Sequence, residues 1–594
     1  MKKLVILFLV FFVSMNSFSQ LYITGSTNYV YVKDAVVYVQ QDVNLQTGTN
    51  FYLRNEGQLV QGTTGTSANK GAGKLSVFQE GTVNNYAYNY WCSPVGNPSS
   101  ATGNEGFGVT LLGRPTSVTA TSPVTITNGH DGTSSPLTVS TYWIYKFLSS
   151  VTYSDWIYVG AASTIGAGEG FTMKGTTGSD ATVIEGNTVQ NNPGSAQRYD
   201  FRGKPNDGNI IVNTAQDKYT LTGNPYPSAM DVNAFLLDPG NTAITGIAYY
   251  WEQDKTVNSH YVAQYKGGYG SYSPIALGIN GVYVPATFNT YNGDGSQNTT
   301  GSTSNTNSSI LRRFAPVGQG FMINGAATGS SVTIKNSHRA YYKESTVSNS
   351  YFTRSSADTT NVVNDLGLEL SMLRLNVAIN DQFTRQMVLV LLPTATDGVD
   401  IGIDALSPDE YSLPNDAYFF LDNNPYVIQG LAFDVNKRIP VGVKATDNAT
   451  FNFSLLELVN FDAAQNVYIY DALDNSYHDI KNGNYQVVLS TGMYNNRFEI
   501  TFTNTALGID QQTVNNMLVL QDNSSDLLKV SNPDALNLST IALYDISGRQ
   551  VFAKQKLGTE LSFSFPTSAL SEGVYLVKVT ADDNQVFAKK VIIK

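Results

Sequence analysis

Four histidines, one cysteine and a few acidic loops are the groups from which this 594-residue chain would have to build a catalytic or metal site. His130, His260, His338 and His478 stand apart in loop-like text, and none lies in an HExxH run. Cys92 is the only cysteine, so no intramolecular disulfide or CxxC pair is available, and a nucleophilic thiolate would need a histidine brought to it by the fold. The run "GAGKLS" (Gly71 to Ser76) lacks the upstream glycine and the hydroxyl after lysine that a phosphate-binding loop requires, and no GxSxG elbow occurs. Asp397, Asp400 and Asp404 in "ATDGVDIGIDALSPDE" could line a calcium loop of oxygen ligands, although their spacing is not that of an EF-hand. Glu169 in "GEGF" could serve as a general acid. A glycoside hydrolase would need a second carboxylate about 5–9.5 Å from the first. No catalytic residue, cofactor or metal ligand is therefore assigned, calcium at the three aspartates excepted as a possibility.

The aromatic residues are the remaining binding candidates. Tyr265, Tyr269 and Tyr272 in "QYKGGYGSYSP", with Trp251 nearby, could stack on sugar rings while Asn and Thr side chains bind the ring edges. The competing use is ordinary cross-strand packing. An exposed strip on a concave sheet would favour glycan binding.

These residues sit in a chain that reads as all-β and multidomain. Tyr (36) and Gly (51) are abundant, charged residues make up only 14 %, and β-branched runs alternate with Asn and Gly breaks. Residues 1–19, with Lys2, Lys3 and the apolar run Leu4 to Val13, read as a secretory signal peptide, too short to span a bilayer. Removing them takes the net charge from −11 to −13. An acidic, sparsely charged chain lacks the basic clusters a nucleic-acid partner demands. No later stretch is apolar enough for a transmembrane helix.

Residues 20–80 alternate at period two with frequent turns, as in a short β-solenoid or the first sheet of a sandwich. Residues 81–350 contain a degenerate duplication. "GEGFTMKG" (Gly168 to Gly175) returns as "GQGFMING" (Gly318 to Gly325), and "YNYWCSPVG" (Tyr88 to Gly96) is answered by "YTLTGNPYP" (Tyr219 to Pro227). The alignment sets Cys92 against Gly223 and Glu169 against Gln319, which favours a space-limited position for the first and a turn for the second. It also predicts Gly170 and Gly320 at equivalent turns, with Phe171 and Phe321 in a core. "SAMDVNAFLLD" (Ser228 to Asp238) is the best helix candidate. Residues 366–504 read as a separate antiparallel β-sandwich, 505–516 as a linker, and 517–594 as a small final sandwich.

That last region contains "LYDISGRQV" (Leu543 to Val551), "LSEGVYLVKV" (Leu570 to Val579) and the closing "FAKKVIIK". Together these resemble the type A C-terminal sorting domain of type IX secretion cargo, an Ig-like Greek-key sandwich. The opening Pro-Asn-Pro turn of that family is replaced here by Asp522-Asn523-Ser524. The resemblance implies that Tyr544, Asp545, Gly548, Arg549, Gly573, Tyr575, Lys589 and Lys590 form the sorting signal. It implies an outer-membrane translocon and a sortase-like protease as partners, with surface lipopolysaccharide or glycans as further contacts. The implied protein is a secreted or surface-attached structural or adhesive one without enzymatic activity. A carbohydrate-binding surface protein is the alternative, and a glycan-active hydrolase a more distant one.

Overall fold

The computed structural model describes residues 20–62, 68–304, 306, 311–344, 370–409, 413–462, 464–504, 517–545, 549–582 and 586–593. The leader 1–19, the linker 505–516 and Gly548 lie outside them. The protein is all-β, and among the described residues there is one α-helix, Val232–Leu236, inside the stretch expected to hold it. Asp231 caps it by accepting from the Ala234 N–H at 3.2 Å. The chain forms two compact units divided between Asn504 and Thr505.

The first unit begins as a solenoid. Strands Leu21–Ile23, Tyr29–Lys33 and Val36–Val39 lie parallel to and in register with Val43–Leu45, Asn50–Arg54 and Gln58–Gln61. Lys74–Glu80 adds to Asn50–Arg54 in parallel. Period-two alternation sends Ile23, Val32, Val39, Leu45, Phe51, Leu53 and Leu59 into one core. The solenoid hands over to the next part by antiparallel pairing of Lys74–Glu80 with Arg198–Pro205.

The duplication is a structural one. Tyr88–Cys92 pairs with Gly170–Lys174, and Tyr219–Gly223 pairs with Gly320–Gly325, both antiparallel. Gly170 stands opposite Cys92 in the first hairpin and Gly320 opposite Gly223 in the second. Phe171 and Phe321 are both fully buried. The two strand pairs meet at these glycines. A Cβ on Gly170 would lie 2.8 Å from the Thr222 carbonyl oxygen, and one on Gly320 would lie 2.7 Å from the Tyr90 carbonyl carbon. Positive φ occurs two residues earlier, at Gly168 (+81°) and Gly318 (+79°), and Gly170 and Gly320 begin strands rather than occupying the expected turns. Gly170 and Gly320 are glycine because another backbone passes where a side chain would be, not because of a left-handed turn.

Residues 371–501 contribute one twelve-stranded sheet. It departs from the expected antiparallel sandwich, because Phe383–Leu391 runs parallel to Asn424–Leu431. A two-residue turn with positive φ, Asp422-Asn423, closes one of its hairpins, and a three-residue loop, Asn380 to Gln382, with positive φ at Asn380 and Asp381, closes another. Nor is this sheet separate from what precedes it. Leu373, Leu375, Met387 and Leu389 face its own core, whereas Val388, Val390, Val427 and Ile428 pack with Leu221, Ile247, Tyr249 and Val282. Burial of both faces explains why "MVLVLL" is continuously apolar rather than alternating. Backbone bonds from Ile275 N–H to the Gly402 carbonyl (3.1 Å) and from Gly402 N–H to the Thr245 carbonyl (3.1 Å) fasten the contact.

The second unit is a seven-stranded sandwich. Leu518–Asp522, Leu527–Ser531 and Ser562–Pro566 form one sheet; Gln550–Gly558, Leu538–Asp545, Gly573–Ala581 and Val586–Ile593 form the other. This is the expected Ig-like Greek-key order. Tyr575, Val577 and Val579 point into its core, and Leu576 and Lys578 point out.

Gly170→Ala and Gly320→Ala should each destabilise the first unit by about 1–3 kcal/mol, because a Cβ there meets backbone that cannot step aside. Gly293→Ala, where a Cβ meets nothing within 4 Å, is the control. Thermal melts in which all three variants match the parent would show that the two hairpins do not depend on this close approach.

Candidate functional site

The fold gathers residues that are far apart in sequence around the end of strand Gly170–Lys174. Lys174 occupies the position of Asn324 in the repeat, so it is not required by the duplicated architecture. Its side chain is 4 % exposed. The ammonium group donates to Tyr265 Oη at 2.5 Å and to His260 Nδ1 at 3.1 Å, and it lies 3.7 Å above the Trp143 ring. Tyr88 closes the cage at 4.9 Å. His260 Nε2 donates in turn to Asp131 Oδ1 at 2.9 Å, and the ring stacks on Trp143 with His130 beside it. Tyr265 Oη passes its own proton to the His260 carbonyl at 3.3 Å.

Burial in this aromatic cage pulls the Lys174 amine down to about 7, against a smaller opposing pull from Asp131. Burial also lowers the His260 imidazole, with Lys174 beside it adding to the effect. An amine, an imidazole and a carboxylate in series are the parts of a proton relay. Here, however, each N–H of the amine is already directed at a partner or at the Trp143 face, so the relay ends inside the cage. The arrangement fixes the loop between strands Ile244–Gln253 and Lys266–Ser273 onto the first hairpin.

Tyr88 also lines a cavity of about 150 Å³ whose walls include Trp251, Gln253, Phe288 and Arg312. A second cavity, about 210 Å³, gathers Glu56, Glu80, Glu185 and Glu344. Glu80 and Glu185 both pair with Arg198, and Glu344 accepts from Gln79 Nε2 at 2.7 Å. Glu80, Glu185 and Glu344 are thus engaged with neighbouring strands.

The residues singled out from sequence have varied fates. Tyr272 is a core residue whose hydroxyl donates to Asn233 Oδ1 at 2.5 Å, and Tyr265 is buried in the lysine cage. Tyr269 and Trp251 are half-buried, packing with Tyr90, whose hydroxyl lies 2.7 Å from that of Tyr269. The four do not form an exposed strip. Cys92 is fully buried, and burial pushes its thiol well up. Glu169 accepts from Lys146 Nζ and the Gly166 N–H, both at 2.7 Å, and closes the turn before Gly170. Asp397 pairs with Lys437, Asp400 accepts from the Thr396 N–H at 2.7 Å, and Asp404 accepts from the Gly430 N–H at 2.7 Å. Among the described residues no three acidic, histidine or cysteine side chains converge as a metal site. Burial raises the Asp404 carboxyl to about 7, which is the behaviour of a lone buried acid.

His338 ties to Asp238 at 2.9 Å and His478 stacks on Tyr485, so neither is free for chemistry. The meeting of His130, His260, Lys174 and Asp131 was missed from sequence. The substitution of Lys174 for Asn324 between the repeats was the signal that could have found it.

In the second unit the implied sorting residues divide. Tyr575 is buried and its hydroxyl donates to the Ser571 carbonyl at 2.8 Å. Asp545 accepts from the Arg549 N–H and Nε, each at 3.0 Å, while Gly548 lies outside the described residues. Tyr544 precedes Asp545 at the end of its strand, Gly573 opens the strand carrying Tyr575, and Lys589 and Lys590 are exposed on the edge strand. Asp522 accepts from Ser524 N–H (3.0 Å) and Oγ (2.6 Å), so the turn expected without prolines is formed.

The chain belongs to a family of domains of unknown function, DUF8693, whose model matches residues 115–502. A second model of unknown function, DUF8694, matches residues 507–593, and the break between the two falls at the division between the compact units. No curated protein matches. Among solved structures, one described as PorZ, an essential surface component of the type IX secretion system of Porphyromonas gingivalis, is 11 % identical. The match covers 56 % of this chain and 50 % of that one at a TM-score of 0.12, so the chain spans half that protein's length. The BSP domain of a biofilm-associated protein is 9 % identical over 76 % of this chain and 87 % of that one, at a TM-score of 0.11. At these scores neither likeness carries weight for fold or activity.

A depressed lysine contributes a definite pH signature. Between about 7 and the unfolded value of 10.5, the unfolded chain binds the Lys174 proton and the folded one does not, so stability rises with pH across that window. The parent protein should therefore gain stability relative to Lys174→Met between pH 7.5 and 9.5, by at most ~1.4 kcal/mol per pH unit. Parallel melting-temperature profiles for the two proteins would mean that Lys174 keeps an ordinary amine.

Proposed function

We propose that this protein is an exported, surface-displayed structural or adhesive protein without enzymatic activity. Its second unit is the address read by a type IX outer-membrane translocon and a sortase-like protease. The observation that carries the reading is the second unit itself. A seven-stranded Ig-like sandwich holds the residues of the family resemblance in two groups, a buried Tyr575 that builds it and exposed Arg549, Lys589 and Lys590, with the half-buried Asp545 holding Arg549, that a receptor could touch. The two lysines also have a plain structural use, since charge on an edge strand discourages pairing with other chains. A receptor role is what the export experiment separates from that use. Eight acidic and eight basic residues from Met517 onward leave this unit neutral, so the −13 of the exported chain rests on what precedes it. Support for a non-enzymatic first unit comes from the engagement of its conspicuous groups: the thiol is buried, the relay is closed and the glutamates are paired.

In a host with the pathway, removing 586–594 takes away a whole strand and exposes the edge of Gly573–Ala581. The truncated protein should accumulate in the periplasm. The milder pair Arg549→Ala and Lys589→Ala/Lys590→Ala leaves the core intact and should lower the surface-exposed fraction severalfold in cell fractionation. Surface display of the truncated protein at the parent level would mean that the unit is ordinary structure with no address role.

A further inference from the structure

The cavity of about 150 Å³ beside Trp251 has a feature that the rest of the molecule does not explain. Arg312 lines it at 2 % exposure, its guanidinium held between the faces of Tyr250 (4.6 Å) and Tyr283 (4.7 Å). Its Nε and Nη1 have no hydrogen-bond partner. Buried charge-bearing donors are normally paired, because leaving them unmade costs their full desolvation. Glu252, whose carboxylate also lines the cavity, does not serve them. It accepts from Tyr283 Oη and from the Ala286 N–H at 3.2 Å. Gln253 repeats the pattern. Its Oε1 accepts from the Tyr88 N–H (3.3 Å) and Trp251 Nε1 (3.4 Å), which fixes the amide so that Nε2, buried and without a partner, is the free end.

The walls thus offer unpaired donors and the Arg312 guanidinium, with the rings of Trp251, Tyr88 and Phe288 beside them. The two carboxylates on the lining, Glu252 and Asp254, are engaged, Asp254 by the Thr256 N–H (3.0 Å) and Oγ1 (2.7 Å). Lys255 adds a second cation, donating to the Thr82 carbonyl at 2.9 Å. The complement is small, acceptor-rich and anionic, with a flat apolar face for the rings. The volume excludes a drug-sized cofactor, which needs roughly 300 Å³ or more, and suits one ring. We infer that this cavity binds a single acidic sugar residue of a glycan, its carboxylate toward Arg312 and Gln253 Nε2 and its ring against Trp251. The inference supplies a ligand class for the surface protein proposed above, and its test needs no export.

Purified full-length protein is titrated with glucuronate, galacturonate and N-acetylneuraminate, with glucose, acetate and N-acetylphenylalanine as controls, following Trp fluorescence and calorimetry. At least one sugar acid should bind tenfold or more tightly than glucose and acetate, with weakening as salt rises. Arg312→Met keeps the packing between the two tyrosines and should lose that binding tenfold or more; Gln253→Glu, which puts a negative oxygen where the free amide end stood, should do the same. Silence of all three sugar acids overturns the inference, as does equal binding of glucose. Equal binding of acetate would make the cavity a simple anion site, and equal binding of N-acetylphenylalanine a peptide-carboxylate site; either overturns the sugar assignment. Retained binding in both variants places the ligand elsewhere.

Discussion

The first unit depends on one constraint, that two copies of a hairpin approach each other more closely than any side chain allows. Gly170 lies against Leu221 and Thr222 of the second copy, and Gly320 against Tyr90 and Trp91 of the first. Thr222 Oγ1 donates to the Gly168 carbonyl at 2.7 Å, and the Cys92 N–H donates to the Gly318 carbonyl at 2.9 Å, so backbone polar groups at the junction are satisfied across it. Cys92 and Gly223 are equivalent positions that face each other here; a Cβ on Gly223 would come within 2.7 Å of the Cys92 Cβ. One copy can carry a small side chain only because the other carries none. The solenoid core lies on one side of this junction, and the sheet that docks residues 371–501 grows from the other.

That docking makes the first unit a single body. The outer face of the sheet from the second hairpin is apolar, with Leu221, Ile247, Tyr249 and Met322, and would be exposed if the unit ended there. Val388, Val390 and Ile428 cover it. A family model running without a break from 115 to 502 is what this shared core leads one to expect, since neither part is complete alone.

The legible features were those written locally. The short strands of the first region, the duplicated strand pairs with their buried phenylalanines, the short helix and the strands of the closing sandwich follow from periodicity, repetition or capping within a few residues. Periodicity left solenoid and sandwich open for the first region, and only the structure shows parallel rungs. Contacts that join distant segments left weaker traces. The text "MVLVLL" could be a strand buried on both faces, but nothing in it names the partner. Tyr269 and Tyr272 are three residues apart and so lie on opposite faces of one strand, and a tyrosine hydroxyl can find a partner inside, as Tyr272 does at Asn233. The histidines looked isolated because His260 meets Lys174 and Asp131 only where two loops converge on the end of strand Gly170–Lys174. At Gly170 and Gly320 sequence points to glycine without saying which of its two properties is used. The structure answers with space rather than backbone angle.

Charge is scarce in this chain, and much of what is buried is tightly matched. Arg54 donates to the Ser76 carbonyl at 2.9 Å and to Ser76 Oγ at 2.7 Å, and that hydroxyl reaches Asp200 at 2.6 Å. Arg385 is held by Asp416 at 2.7 Å and Asp409 at 2.8 Å. Arg339 lies on the Tyr226 ring beside Asp207. Such pairs add little net stability over apolar packing, but breaking one is expensive, so they hold a particular arrangement of strands in place. Lys174 follows a different rule, surrounded by rings and a neutral imidazole, and it responds by giving up its proton near neutrality. Arg312 is held instead between the rings of Tyr250 and Tyr283, with its Nε and Nη1 unpartnered. Its unpaired donors mark a place where the fold has kept a charge without completing its partners, and completion from outside is the physical meaning of a binding site.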